Sequence, residues 1–157
     1  MKDGELVVIE TAARFGGLLT TRQVHEVFGI DPIGMLVRQL LGERVDYPEA
    51  MLTDGLRAAA SVAVVPADAF GVPWRTRPVW APQAVDWQSL LSPGSTIEAV
   101  PAFAMPAGQP VPAFDPNAGS RNWLGVYLLS AVDAATLQRD CNAVLNGLEA
   151  ALHRAAG

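Results

Sequence analysis

Apolar residues fall into two textures along this chain, compact periodic blocks at both ends and a proline-broken middle. Residues 5–11 open with the short β-branched run Leu6-Val7-Val8-Ile9, bounded by Gly4 and by Ala12-Ala13-Arg14, and read as a buried strand. Thr20 or Thr21 can N-cap a short helix carrying Val24, Val27 and Phe28, with Gly29 as its stop. Asp31-Pro32 then opens a second helix, Asp as N-cap and Pro at the first helical position. Ile33, Leu36, Val37, Leu40 and Leu41 follow helical spacing, and Gly42 ends it.

Residues 56–66 predict another buried strand, although Ala58 to Ala60 would suit a helix equally. From Pro66 to Pro116 lie ten of the twelve prolines, which argues for short strands, turns and extended segments. Residues 86–91 fit one helical turn, 92–95 (Ser-Pro-Gly-Ser) a tight turn, and 96–103 a strand. Order returns with a strand over 123–129. Ser130 is the expected cap of a final helix, with Asp133 in capping-box position. Leu137, Cys141, Val144, Leu145, Leu148 and Leu152 give that helix one apolar stripe. The pattern predicts an α+β fold: a mostly antiparallel sheet, two short consecutive helices near the N-terminus and a long C-terminal helix. It reads as a single domain over 1–157, divided into 1–65, a Pro-rich 66–122, and 123–157.

Composition narrows the function more than the fold. A chain of 157 residues, half of them hydrophobic, can bury a real core or serve as one lobe of something larger. No apolar run approaches the roughly 18 residues that span a bilayer. The start, Met1 to Val8, lacks the pattern of a secretory signal, so a cytoplasmic location and no membrane partner are expected. The net charge of −5 argues against a nucleic-acid partner. The single cysteine, Cys141, excludes an internal disulfide and a multi-cysteine metal site. The charged fraction of 17% is low, which fits either an alanine-rich compositional bias or a surface covered in part by another molecule or a second copy.

The chemistry concentrates at the first strand. Glu10 stands at its end, Arg14 four residues on, then Gly16 and Gly17. Magnesium takes oxygen ligands, commonly one or two carboxylates together with phosphates. A guanidinium fork suits a phosphate in transfer, and paired glycines let backbone approach a ligand closely.

In order, the chain runs from Glu10-x-x-x-Arg14-x-Gly16-Gly17 through a helix, the Gly29-x-Asp31 step and a second helix. A strand and the Pro-rich region follow, then Arg121-x-x-x-Gly125 leading into a strand and the last helix. This order resembles the C-terminal portion of ATP-grasp carboxylate–amine ligases of the amino-acid ligase type. The resemblance covers nearly the whole chain. It implies an enzyme that activates a carboxylate as an acyl phosphate for attack by an amine, with ATP and Mg²⁺ as cofactors. It further implies Glu10 as metal ligand, Arg14 as catalytic contact to the phosphoryl or acyl-phosphate group, and Gly16 and Gly17 as cofactor-binding backbone.

The sequence departs from the family where Ala12 replaces the usual Asn, removing one oxygen ligand. The family also needs an N-terminal substrate lobe, an adenine-binding strand and lysines over the ATP phosphates. The nine residues before Glu10 hold none of these, and Lys2 is the one lysine. The expected partner is therefore an N-terminal ATP-binding lobe or subunit, and the chain alone is not expected to catalyse.

Other residues carry two readings each. His25-Glu26 lacks a second histidine at helical spacing and reads as a surface pair. Cys141 reads as core. Trp74, Trp80 and Trp87 could line an aromatic groove but better suit a loop-rich core, with Arg75 and Arg77 flanking Trp74. Arg121 reads as a strand anchor or a wall of the active site. Two alternatives to the ligase lobe stand beside it. One is a non-catalytic binding or interaction protein that kept the fold. The other is an unrelated α+β domain that holds an apolar ligand through its tryptophans.

Overall fold

The computed structural model describes residues 17–47, 55–68 and 70–154. Elements run in the order α1 (Thr20–Phe28), α2 (Pro32–Leu40), β1 (Ala58–Val64), β2 (Thr96–Ala99), β3 (Gly125–Ala131) and α3 (Ala134–Arg154), with short 3₁₀ turns between β1 and β3. The three strands form an antiparallel sheet in the order β1-β3-β2. The fold is α+β, as the pattern predicts. The predicted strand over 5–11 lies outside the described residues.

β3 is the central strand, and all seven of its residues are buried. Strand alternation sends Tyr127, Leu129 and Ala131 to one face and Val126, Leu128 and Ser130 to the other. On the first face Val62, Val64, Tyr127, Leu129 and Ala131 meet Leu137, Val144, Leu148 and Leu152 of α3. Side chains of this size contribute about 1.5–3 kcal/mol each when fully buried. The Pro-rich region adds Trp80 and Val111 to the same core. Its prolines supply carbonyls rather than amides: Val111 N donates to Pro78 O at 2.9 Å, and Trp80 and residues 108–109 exchange bonds of 2.8 Å. Gly125 makes room there, since a Cβ at that position would stand 3.3 Å from the Trp80 ring. Trp74 and Trp87 pack partly buried against this core, and Trp74 also lines a cleft between β1 and α3. Arg77 donates from Nε to Val111 O at 3.2 Å.

The second face is mixed, with buried Val126 and Leu128 beside Ser61, Thr96 and Glu98. Ser61, Leu128 and Glu98 lie side by side across the three strands. α1 is tied over them: Gln23 Nε2 donates to Ser61 Oγ at 2.7 Å, and Arg22 forms a two-pronged pair with Glu98 at 2.9 and 2.5 Å. No residue of α1 or α2 is buried. Gly29 closes α1 in the left-handed region at φ 68°, its amide donating to His25 O, as the sequence implies. Asp31 Oδ1 accepts from Gly34 N at 2.9 Å and caps α2. The apolar residues of α2 nevertheless stay open: Ile33 is 51% exposed, Val37 49%, Leu40 77% and Leu41 72%.

Three predicted details differ. α1 begins after Leu19, not on a threonine cap, because Thr20 is already helical and its hydroxyl donates to Gly17 O at 2.6 Å. β2 stops at Ala99 rather than 103. Val100 N still donates to Val126 O, but Pro101 has no amide to continue the ladder and a 3₁₀ turn comes next. Ser130 does not cap α3. It is buried in β3 at 2.9 Å from Thr96 Oγ1, and Asp133 caps instead, accepting from Thr136 N at 2.7 Å.

Candidate functional site

Glu10, Arg14 and Gly16 lie outside the described residues. Gly17 is the first described residue; it is exposed, and among the described residues nothing stands within 4 Å of where a Cβ would sit. Leu18 and Leu19, the next two residues, both adopt left-handed backbone, φ 50° and 64°, which side-chain-bearing residues rarely do. Such geometry costs of order 1–3 kcal/mol per residue and persists only where the surroundings hold it. Here Leu18 O accepts from Ser61 Oγ at 2.8 Å and from Gln23 Nε2 at 3.4 Å. The exit of the Glu10–Gly17 segment is thus fastened to β1 and α1.

This fastening sets Leu18 into the wall of an open pocket of about 410 Å³, shared with Ala102, Phe103, Ser120 and Trp123. Phe103 and Trp123 meet edge to face, with ring centroids 5.6 Å apart and planes at 80°. Phe103 remains 40% exposed. Arg121, between Ser120 and Trp123 in the chain, is exposed, and among the described residues its guanidinium has no hydrogen-bond or ion-pair partner. The structure therefore brings together two stretches that sequence reading singles out separately, the residue after Gly17 and the segment of Arg121. Sequence reasoning misses Ala102 and Phe103 as pocket residues; their only signal is position in the predicted 96–103 strand.

Two other clusters have structural explanations. Asp140, on α3, is 2% exposed and accepts from Ser92 Oγ at 2.6 Å and Ser92 N at 3.2 Å. Burial alone would raise its pKa, but the bonds from the Ser92 hydroxyl and amide, with the charge of Arg139 nearby, outweigh burial and hold it below the usual carboxylate range. The arrangement pins the 92–95 turn to α3. A cleft of about 180 Å³ between β1 and α3 includes Asp68, Asn146 and Glu149. Asp68 Oδ1 is engaged by the amides of Phe70 and Val72, both at 2.9 Å, as the hub of its own turn. Cys141 packs against the core, and burial, then the nearby Asp140, push its thiol up, away from reactive thiolate. Among the described residues no three His, Cys, Asp or Glu side chains group to hold a metal, and no helix is long and apolar enough to cross a membrane. Comparison with protein-family models, curated proteins and solved structures returns no match.

Proposed function

We propose that this chain is the C-terminal lobe or subunit of an ATP-dependent carboxylate–amine ligase acting through an acyl phosphate. The observation that carries the reading is the meeting of Leu18 with Ser120 and Trp123 in one pocket. The two segments of the resemblance that should flank a reaction centre, Glu10–Gly17 and Arg121–Gly125, lie more than a hundred residues apart in sequence. The order of α1, Gly29, Asp31, α2, β1, β3 and α3 supports it as well.

In this reading the substrate carboxylate oxygen attacks the γ-phosphorus of ATP and ADP leaves. The amine then attacks the acyl carbon and phosphate leaves. Glu10 would supply a carboxylate to Mg²⁺, whose charge would offset that of the phosphates. Arg14 offers its fork to the transferring group. Gly17, with no side chain and no described residue within 4 Å of its would-be Cβ, leaves backbone free for a ligand's approach. The ATP clamp comes from an N-terminal lobe, and the uncovered apolar side of α2 suits a chain that works against another surface. A second reading, a non-catalytic interaction protein with the same fold, is favoured by Ala12 in place of the ligand asparagine.

The test is reconstitution. ATP with Mg²⁺ leaves the melting temperature of the chain alone unchanged. Supplied with an N-terminal ATP-binding lobe of the amino-acid ligase type, the chain supports ATP hydrolysis that Glu10→Ala and Arg14→Ala abolish. Hydrolysis that survives Glu10→Ala would show the site to be misassigned.

A further inference from the structure

We propose that the cleft between β1 and α3 binds a small alkylated ammonium ion through Trp74, Asp68 and Glu149. The cleft encloses about 180 Å³, less than a drug-sized ligand needs, so its ligand is small. The site stands apart from the ligase reading. The cleft is bounded by α3, whereas Leu18 and the exit of the Glu10–Gly17 segment are tied to Ser61 and to Gln23 of α1. A fully alkylated nitrogen has no lone pair, so this ligand cannot be the attacking amine.

Charge selects a cation. Asp68 and Glu149 both line the cleft, and among the described residues no Lys, Arg or His does. The turn at 68–72 uses Asp68 Oδ1, which accepts the amides of Phe70 and Val72, and Trp74 N donates to Pro66 O at 3.1 Å across the same hairpin. Carboxylate and indole are thus held at fixed places in the wall. The turn gives no role to Glu149. That side chain is half-buried on α3, and no hydrogen bond or ion pair reaches it among the described residues. Partly burying a carboxylate without a partner is unfavourable, and a cation entering the cleft supplies the partner.

The walls select an alkylated cation. Val64, Val65 and Leu145 are apolar, and tryptophan is the aromatic side chain that attracts cations best. The carbonyls of Val64, Val65 and Pro66 already accept amides from Leu124, Ala67 and Trp74. A divalent metal demands more oxygen ligands than two carboxylates supply, and bare ammonium would give up water for a largely apolar lining. An alkylated ammonium carries its charge beneath methyl groups. Indole and aliphatic walls accept the methyls while the carboxylates answer the charge.

The probe is tetramethylammonium chloride, titrated into the full chain without ATP, Mg²⁺ or partner lobe. The readout is the indole N–H resonance of Trp74, assigned by its absence in Trp74→Phe. The expected result is a saturable shift. Neither tert-butanol, similar in shape but uncharged, nor sodium chloride gives it at equal concentration. Glu149→Gln keeps the shape of the side chain and weakens binding about two- to fivefold. Asp68→Asn, whose amide oxygen still accepts from the turn, does the same. No saturable shift, an equal shift with tert-butanol or sodium chloride, or binding unchanged in both variants overturns the site. Ammonium chloride binding as tightly as tetramethylammonium overturns the choice of an alkylated cation. Reconstituted ATP hydrolysis is a separate measurement, so failure of this site and failure of the ligase reading are told apart.

Discussion

The two faces of the sheet are covered in different ways. On one, α3 lays Leu137, Val144, Leu148 and Leu152 onto Val62, Val64, Tyr127 and Leu129, and all of these are buried. On the other, α1 is held through Arg22–Glu98 and Gln23–Ser61, and the helix beyond it, α2, leaves its apolar residues open. Both α2 and α3 show helical apolar spacing in sequence. Periodicity reports that a helix has a face. It does not report what lies against that face, which depends on chain geometry elsewhere. The α3 side is fastened by desolvation, which salt does not screen. The α1 side buries Val126 and Leu128 but no residue of the helix itself, and its side-chain ties are charge and hydrogen bonds at half-exposed positions, which are individually weak. The α1–α2 layer should therefore open at lower free energy than the α3 layer.

The sharpest break of this comparison is a pair of truncations. Leu148→Ala removes a fully buried side chain and should cost about 2–5 kcal/mol in chemical denaturation. Leu40→Ala, at a position 77% exposed, should stay within about 0.5 kcal/mol. If Leu40→Ala cost as much as Leu148→Ala, the α2 face would be covered in solution, and the contrast between the two helices would fail.

Alkaline pH probes the α3 side alone. Tyr127 lies in the α3-facing core against Trp87, ring centroids 4.7 Å apart, and burial pushes its phenol up to about 12. A folded pKa above the unfolded value of about 10 means the neutral form is favoured by the fold. That contribution is complete below about pH 10 and disappears as pH rises towards 12, a loss of order 2–3 kcal/mol. Cys141 is also pushed up, by burial and by Asp140, and weakens the fold in the same direction. Tyr127→Phe with Cys141 retained isolates the phenol. The variant should lose less stability than the parent between pH 10 and 12, read by denaturant titration at stepped pH. Parallel decline of the two proteins would place the phenol in water.

Much of this architecture is legible in the sequence because local signals agree with tertiary demands. Asp31-Pro32, Gly29 and the Leu137–Leu152 stripe each carry a physical reason for one element, and each element forms. The differences arise where two local options compete. Ser130 is a good helix cap, but the central strand needs it to face Thr96, so Asp133 takes the cap. Leu18 and Leu19 have no propensity for left-handed backbone, and among the described residues it is Ser61 and Gln23, neither adjacent in sequence, whose bonds hold the Leu18 carbonyl. The pocket is hidden for the same reason. Phe103 and Trp123 are twenty residues apart across a proline-rich stretch, and no spacing rule joins them to Leu18. For the predicted site itself, Gly17 alone falls among the described residues, so the Glu10–Arg14 chemistry rests on motif and resemblance.

The smallest expected effect concerns the tie that holds α1. Arg22 and Glu98 are partly exposed, their side chains 42% and 55% accessible. The hydrogen bond from Arg22, opposed by burial and aided by its charge, holds the Glu98 carboxyl below the usual range. A depressed folded pKa contributes stability that is present above the unfolded value, near 4.5, and is lost as pH falls below it. Because water and salt screen an exposed pair, the contribution is about 0.2–1 kcal/mol. Global denaturation would blur so small a term, since Asp133 and Asp140 on the α3 side are lowered too and also weaken the fold in acid. Amide exchange separates them by location. Glu98→Gln at neutral pH should speed exchange in α1 while leaving α3 unchanged, and the difference from the parent should vanish below about pH 4 or in high salt. Equal acceleration in both helices would mean that the two faces open together, and that the α1 side is no weaker than the α3 side.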